Sequence, residues 1–385
     1  MFLAIEFLDE FVFGAREAAW PLIRSDLGLT YARIGVLLAV PNLVGAMVQP
    51  MFGVLGDAGH RRRVILGGGA TFALALVLTW AANGFGMLVL AFAVLGPASG
   101  AFVSLSQASF MDVDPAARER NMARWVVAGS VGVVFGPLFL ASAVALGIGW
   151  RGAFLGCAIV TIPLLAVVTR VRTATEQAGS IAEAVRTTLG AIRRVEVLRW
   201  LGLLELTDLL GDVLLGFVAL YFVDVAGATP AVGALAVAVL GLAGLAGDTL
   251  LLVVLRRMRG DTWLRLGAAG AVVAYPAFLA APWIPAKLAL LGLLAVLRAG
   301  WYAIPKARLF DQLHGASGAA VALGDLGGLF GSLLPIGLGV LAQQAGLGAA
   351  MWVLLGAPVA LLILLPRGAG RPTGAQPPSA SDMAD

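Results

Sequence analysis

Ionisable side chains interrupt stretches of sequence that are otherwise apolar. The first stretch holds Glu6, Asp9, Glu10, Arg16 and Glu17, and a later one holds Glu205, Asp208 and Asp212. Asp248, Arg298 and Asp325 lie in three others. An ionisable group inside a membrane segment costs roughly 2.5–3.5 kcal/mol, so such groups face a cavity or a partner. A carboxyl in an apolar cavity can take up and release a proton near neutral pH. At 100° per residue the first set falls within roughly 120° of one helix face, and Glu205, Asp208 and Asp212 within roughly 60°. Both stripes are expected to face one central cavity that binds protons or a small molecule. Phe13, Trp301 and Tyr302 are candidates for its wall. Plainer readings stand beside these: Glu6 at headgroup level, Glu205 near a membrane surface, an Arg16–Glu17 structural pair, and the aromatics as packing or lipid contacts.

The elements that position these groups follow from composition. The 385 residues are 60% hydrophobic and 12% charged, with mean hydropathy +0.94. A soluble domain is about 25% charged, so the balance excludes a soluble enzyme, a disordered chain and a nucleic-acid binder. His60, His314 and the lone Cys157 form no metal-ligand spacing. No phosphate loop or nucleophile elbow occurs, and no cofactor is expected.

At about 20 residues per span the sequence predicts an all-α membrane protein of twelve helices. They fall near 1–23, 31–55, 64–82, 86–110, 122–147, 150–171, 198–224, 229–254, 263–281, 284–305, 317–343 and 346–365. The opening carries no basic region ahead of its apolar run, so it reads as the first span, not as a secretory leader. The polar segment 172–197 divides the spans into bundles 1–171 and 198–365, and the Pro-, Gly- and Ser-rich tail 366–385 reads as a disordered cytoplasmic end.

Alternate loops hold 20 Lys and Arg on one side, including Arg61–Arg63, Arg256, Arg257, Lys306 and Arg308. Four lie on the other: Arg24, Arg33, Arg151 and Lys287. The asymmetry places both termini and the linker in the cytoplasm, with the chain in a bacterial cytoplasmic membrane.

The two halves echo each other. Asp9 and Asp208 are 199 residues apart, and VILGGG at 64–69 sits 200 residues before LRLGAA at 264–269. The AVL before Gly96 matches the AVL before Arg298, and Gly129 to Gly136 matches Gly324 to Gly331. Parallel six-helix repeats place a substrate site near the midplane between them.

The segment Gly53-Val-Leu-Gly-Asp57-Ala-Gly-His60-Arg61-Arg62 resembles the loop signature of the major facilitator superfamily, with Ala58 and His60 departing from it. Gly132-Val-Val-Phe-Gly136-Pro137 is similar to the antiporter signature of that family, without its later glycines. The same residues also read as small positions for helix packing with a proline bend.

The resemblance, which spans essentially the whole chain, implies a monomeric, twelve-helix transporter that moves a small solute by alternating access, in contact with membrane lipid. Asp57, Arg61 and Arg62 would gate the cytoplasmic side, and Arg257 and Asp261 fill the matching places in the second half with signs exchanged. Proton-coupled efflux of a cationic or amphipathic compound is the leading expectation. Proton-coupled metabolite uptake, favoured by Arg298, is the alternative. A receptor or assembly factor on the same fold is a third reading. For Arg298 two partners are open: a carboxylate among Asp208, Asp212 and Asp325, or an anionic substrate group.

Overall fold

A computed structural model describes residues 1–55, 60–113, 118–169, 194–312, 328–329 and 331–365. All secondary structure among them is helical. The first six helices are α1 Phe2–Leu27, α2 Tyr31–Leu55, α3 Arg61–Trp80, α4 Phe85–Val113, α5 Arg118–Ala145 and α6 Gly149–Val168. There follow α7 Val195–Val225, α8 Pro230–Val254 and α9 Gly260–Ala280, then α10 in two parts, Ile284–Leu297 and Ala303–Gln312. The last are α11 Leu334–Ala345 and α12 Leu347–Leu364. Nine helices among the described residues are long and apolar enough to cross a membrane.

Local chemistry sets several ends. Gly28 closes α1 in the left-handed conformation at φ 58°, its N–H donating to the Arg24 carbonyl, a conformation that favours glycine. Thr229 caps α8 by accepting from the Val232 N–H at 3.4 Å, and Pro230 follows at the first helical position.

α1 packs most extensively on α5, α3 on α4 and α6, and α2 on α4. Among the described residues the most extensive pairings between the first six helices and the last six are α2 with α11, α5 with α8, and α1 with α7 and α8. A Cβ added to Gly35 would lie 2.3 Å from the Pro335 carbonyl oxygen, so α2 and α11 cross backbone against backbone.

Three expectations change. The span expected at 284–305 is not one helix: it breaks between Leu297 and Ala303, with Gly300 at φ 79°. The span at 198–224 begins at Val195 and breaks internally at Gly211, where φ is −90° and ψ −116°. Lys287 is no loop charge. It is buried in the first turn of α10 and donates to Tyr221 Oη at 2.8 Å and to the Phe278 and Leu279 carbonyls at 3.0 and 2.9 Å. Its aliphatic stem suits an apolar site while its head finds polar partners. Segments 170–193, 313–327 and 366–385 lie outside the described residues, and with them Asp325, His314 and most of the linker and tail.

Candidate functional site

α1 supplies one wall of the site, and its position follows from the glycines of α5. A Cβ on Gly132 would stand 2.5 Å from the Phe7 carbonyl oxygen, and one on Gly136 2.2 Å from that of Phe11. Only glycine permits this approach. Pro137 continues the same face, its Cδ 3.1 Å from where a Cβ on Gly14 would lie. The segment Gly132 to Pro137 thus packs α5 on α1.

Glu6 and Glu205 are 199 residues apart, and each lodges against a glycine. Glu6 is buried beside Gly129 of α5. Glu205 Oε2 lodges against Gly331 just ahead of α11. Both carboxyls therefore pack between helices.

Nearly three turns further along α1, Arg16 and Glu17 form a buried pair. The guanidinium donates to Glu17 Oε1 through Nε at 2.9 Å and Nη2 at 2.6 Å. The Trp20 indole donates to Glu17 Oε2 at 2.8 Å. Arg16 also lies over the rings of Phe13 and Phe92, 5.0 and 5.7 Å from their centres. A pair held on all sides is a fixed part of the wall.

In the second half the breaks do the positioning. The departure from helix at Gly211 leaves the Leu210 carbonyl without its usual partner, and Arg298 Nη1 donates to it at 2.6 Å. Asp208 Oδ1 accepts from the Asp212 backbone N–H at 3.3 Å across the same break. In α10 the Ala299 carbonyl accepts from the Trp263 indole of α9 at 2.7 Å. Among the described residues no carboxylate comes within ion-pair distance of Arg298. Its partner among the described residues is the Leu210 backbone carbonyl, and Asp325 lies outside them.

These walls enclose a cavity of three lobes that meet at Phe13. The first, about 340 Å³, is lined by Asp9, Glu10, Asp212, Asp248 and Arg298, with Ser130, Val133 and Gly241 between them. The second, about 220 Å³, runs between α1, α2 and α4 past Asp9, Arg16, Asn42, Gln49, Ser99 and Ser104. The third, about 370 Å³, reaches Glu205, Asp208, Tyr302 and Lys306. Tyr302, 62% exposed, stands at its rim and accepts from Lys306. Trp301 is buried against Gly267 of α9 instead. The structure thus brings Asp9, Glu10, Phe13, Asp212 and Arg298 together, and Asp208 and Tyr302 beside them. Asn42, Gln49, Ser99 and Ser104 were not singled out from sequence, because uncharged polar residues are unexceptional in a helix without the lobe to mark them.

Four carboxyls against one guanidinium make the first lobe attractive to a cation. Phe13 adds an apolar face. Among the described residues no cluster of His, Cys, Asp and Glu could hold a metal ion.

The arginine-poor end is closed. Arg24 Nη1 meets Asp224 Oδ2 at 3.1 Å and stacks 4.4 Å from the centre of the Tyr31 ring, whose hydroxyl donates to the same carboxylate at 3.0 Å. The Tyr31 N–H donates to Gln343 at 3.2 Å. Arg24 and Asp224 are 200 residues apart, the spacing of the internal repeat, so the pair joins equivalent points of the two halves. Matching opposite charges at that offset was the signal that could have found it.

At the arginine-rich end, Arg61 is buried at the start of α3 and Arg62 donates to the Thr169 carbonyl after α6. Gly53 lies near the end of α2, and Asp57 lies outside the described residues. Asp261, which matches Arg61 in the second half, accepts from Arg308 at 3.0 and 3.1 Å.

Solved structures share this fold. A nucleoside transporter, NupG, superposes with a TM-score of 0.78 at 11% identity, over 94% of this chain and 97% of that one. A D-xylose-proton symporter gives 0.72 at 16%, over 94% and 96%. A bacterial homolog of the human lysosomal transporter Spinster, inward-facing and unoccupied, gives 0.71 at 17%, over 94% and 92%. No curated protein matches the chain significantly. The family model for the Major Facilitator Superfamily matches residues 3–332. The chain belongs to the Major Facilitator Superfamily: it is a multi-pass membrane transporter of small molecules and not an enzyme.

Proposed function

We propose that this transporter exports a small organic cation in exchange for protons across a bacterial cytoplasmic membrane. The observation that carries the reading is the first lobe, where Asp9 and Glu10 of α1 face the same space as Asp212 of α7 and Asp248 of α8. Carboxyls from both halves around one aromatic side chain suit a substrate with a positive centre and an apolar body. The same carboxyls can hold protons when the cation has left, so that cation and proton compete for one site. Such competition is what antiport requires. The bundles 1–171 and 198–365 rock about this cavity, opening it to one side and then the other.

The lysine and arginine bias of the loops supports cytoplasmic termini. In that orientation the Arg24–Asp224 contact closes the external end, and the conformer faces inward. The protein works as a monomer in contact with lipid.

Proton-driven uptake is the second reading. The observation in its favour is Arg298 in the same lobe, since a guanidinium suits a carboxylate or phosphate.

The test is a flux assay in proteoliposomes with an imposed pH gradient. Ethidium and tetraphenylphosphonium serve as cationic probes and lactate as an anionic one. The expected result is gradient-dependent movement of a cation opposite to the protons. Movement of lactate together with the protons, and none of the cations, would select uptake instead.

A further inference from the structure

The break in α10 and the break in α7 are one structure. Arg298 is the first residue beyond the helical segment Ile284–Leu297, and its side chain reaches the carbonyl that the α7 break leaves free. Gly211 is enclosed by the same groups. A Cβ there would lie 3.0 Å from Asp208 Oδ1 and 3.6 Å from Arg298 Nη1. The Asp212 N–H is held by Asp208 across the break. α10 is anchored in turn by Trp263 on the Ala299 carbonyl.

We propose that Arg298 is a positioning residue. It caps the Leu210 carbonyl, keeps α7 broken at Gly211, and thereby sets where Asp212 stands in the substrate lobe. The inference rests on the proposed role of that lobe for its transport readout, though its structural readout does not. A buried carbonyl left without a donor is costly, so a break in the membrane needs a permanent cap. A donor to a carbonyl across 88 residues of sequence also couples the two helices mechanically. If α10 tilts, the cap travels with it, and the position of Asp212 changes with the state of the transporter.

Two other roles for Arg298 fit the geometry less well. As a receptor for an anion it would need its planar fork free, yet Nη1 is engaged at 2.6 Å. An incoming anion would also meet Asp9, Glu10, Asp212 and Asp248 in the same lobe. As half of an ion pair it would need a carboxylate within 4.0 Å, and none of the described residues supplies one.

Hydrogen–deuterium exchange by mass spectrometry on the full-length protein in detergent tests this directly. In Arg298→Ala, exchange across Leu209–Leu215 should quicken roughly tenfold, as expected for loss of a charged hydrogen bond. Exchange in α1 and α5 should stay unchanged. Arg298→Lys, which keeps a single donor, should recover most of the protection, and Arg298→Gln serves if the alanine variant does not fold. In ethidium flux Arg298→Ala should lower the maximal rate roughly tenfold with KM within about twofold, and Arg298→Lys should restore most of it, because the step affected is the change of state and not recognition. Unchanged exchange at α7 would overturn the proposal, as would equal quickening in α1 and α7. If no probe is transported by the unsubstituted protein, the lobe's proposed function fails while the exchange result still decides the cap.

Discussion

The two halves echo one sequence pattern and hold their helices differently. At the place where the AVL repeat aligns them, the first half has Gly96 and the second has Arg298. α4 runs unbroken through Gly96 and Pro97, so close to α2 that a Cβ on Gly96 would lie 2.0 Å from the Pro41 carbonyl oxygen. α10 is broken at the matching place and sends a guanidinium to α7. The first half keeps its helices whole and holds them by backbone contact at glycine, as again between α5 and α1. The second half also packs at glycine, with Gly267 of α9 against the Leu297 carbonyl, but its described residues include two helix breaks, each met by a charged or polar side chain. A duplicated bundle can thus keep one topology while one copy becomes a packed wall and the other a set of jointed helices, which are the parts suited to changing shape.

The contrast can be broken most severely at the glycines. Gly136→Ala should force α1 from α5, since its Cβ would meet the Phe11 carbonyl oxygen at 2.2 Å, whereas Gly337→Ala in α11 meets nothing within 4 Å. Overpacking of this kind costs about 1–3 kcal/mol. Thermal unfolding in detergent should show a lowered midpoint for the first variant and none for the second. Equal midpoints would remove the claim that backbone contact holds the first half.

A loss of similar size is expected from Lys287→Met. All three donors of that ammonium are used, on Tyr221, Phe278 and Leu279. Leaving buried acceptors without a donor costs about 1–3 kcal/mol. Arg151→Met, at an ion pair with Asp26 that is about a third exposed, should cost less than this. If the two variants unfold together, the second half depends on polar ties no more than the first.

The smallest effect belongs to the contact between the halves. Exposed pairs contribute about 0.2–1 kcal/mol, so Arg24→Ala should shift the balance of states by at most about fivefold towards opening at the arginine-poor end. Labelling of a cysteine placed at Leu38, beneath that contact, would report it. The exchanged pair Arg24→Asp with Asp224→Arg should restore the original labelling rate. No recovery in the double variant would mean that Tyr31 and the α2–α11 crossing hold that end closed without the ion pair.

Much of this was legible in the sequence. The apolar runs placed α2 and α8 within a residue, because a span must be long and must satisfy its own backbone. The repeat and the acidic stripes of α1 and α7 were visible as letters, and the cavity gathers Asp9, Glu10 and Asp212 from them. The partner of Arg298 was not visible, because a carbonyl freed by a helix break has no letter of its own. The break at Gly211 was hidden for a related reason: glycine is frequent throughout these helices, and nothing in the letter marks Gly211 as one that departs from helix. Trp301 was read towards the cavity from its neighbours in sequence, but the break rotates it onto α9. Lys287 was counted with the loops because its aromatic and carbonyl partners are distant in sequence.

Proton coupling by the cavity carboxyls is tested most directly by neutral replacements in proteoliposomes. Asp9→Asn, Asp208→Asn and Asp212→Asn are each assayed for ethidium accumulation under a pH gradient and for ethidium exchange without one. The expected result is that at least one variant loses accumulation entirely while its exchange continues. If all three accumulate ethidium against its gradient as the unsubstituted protein does, these carboxyls do not carry the coupling proton.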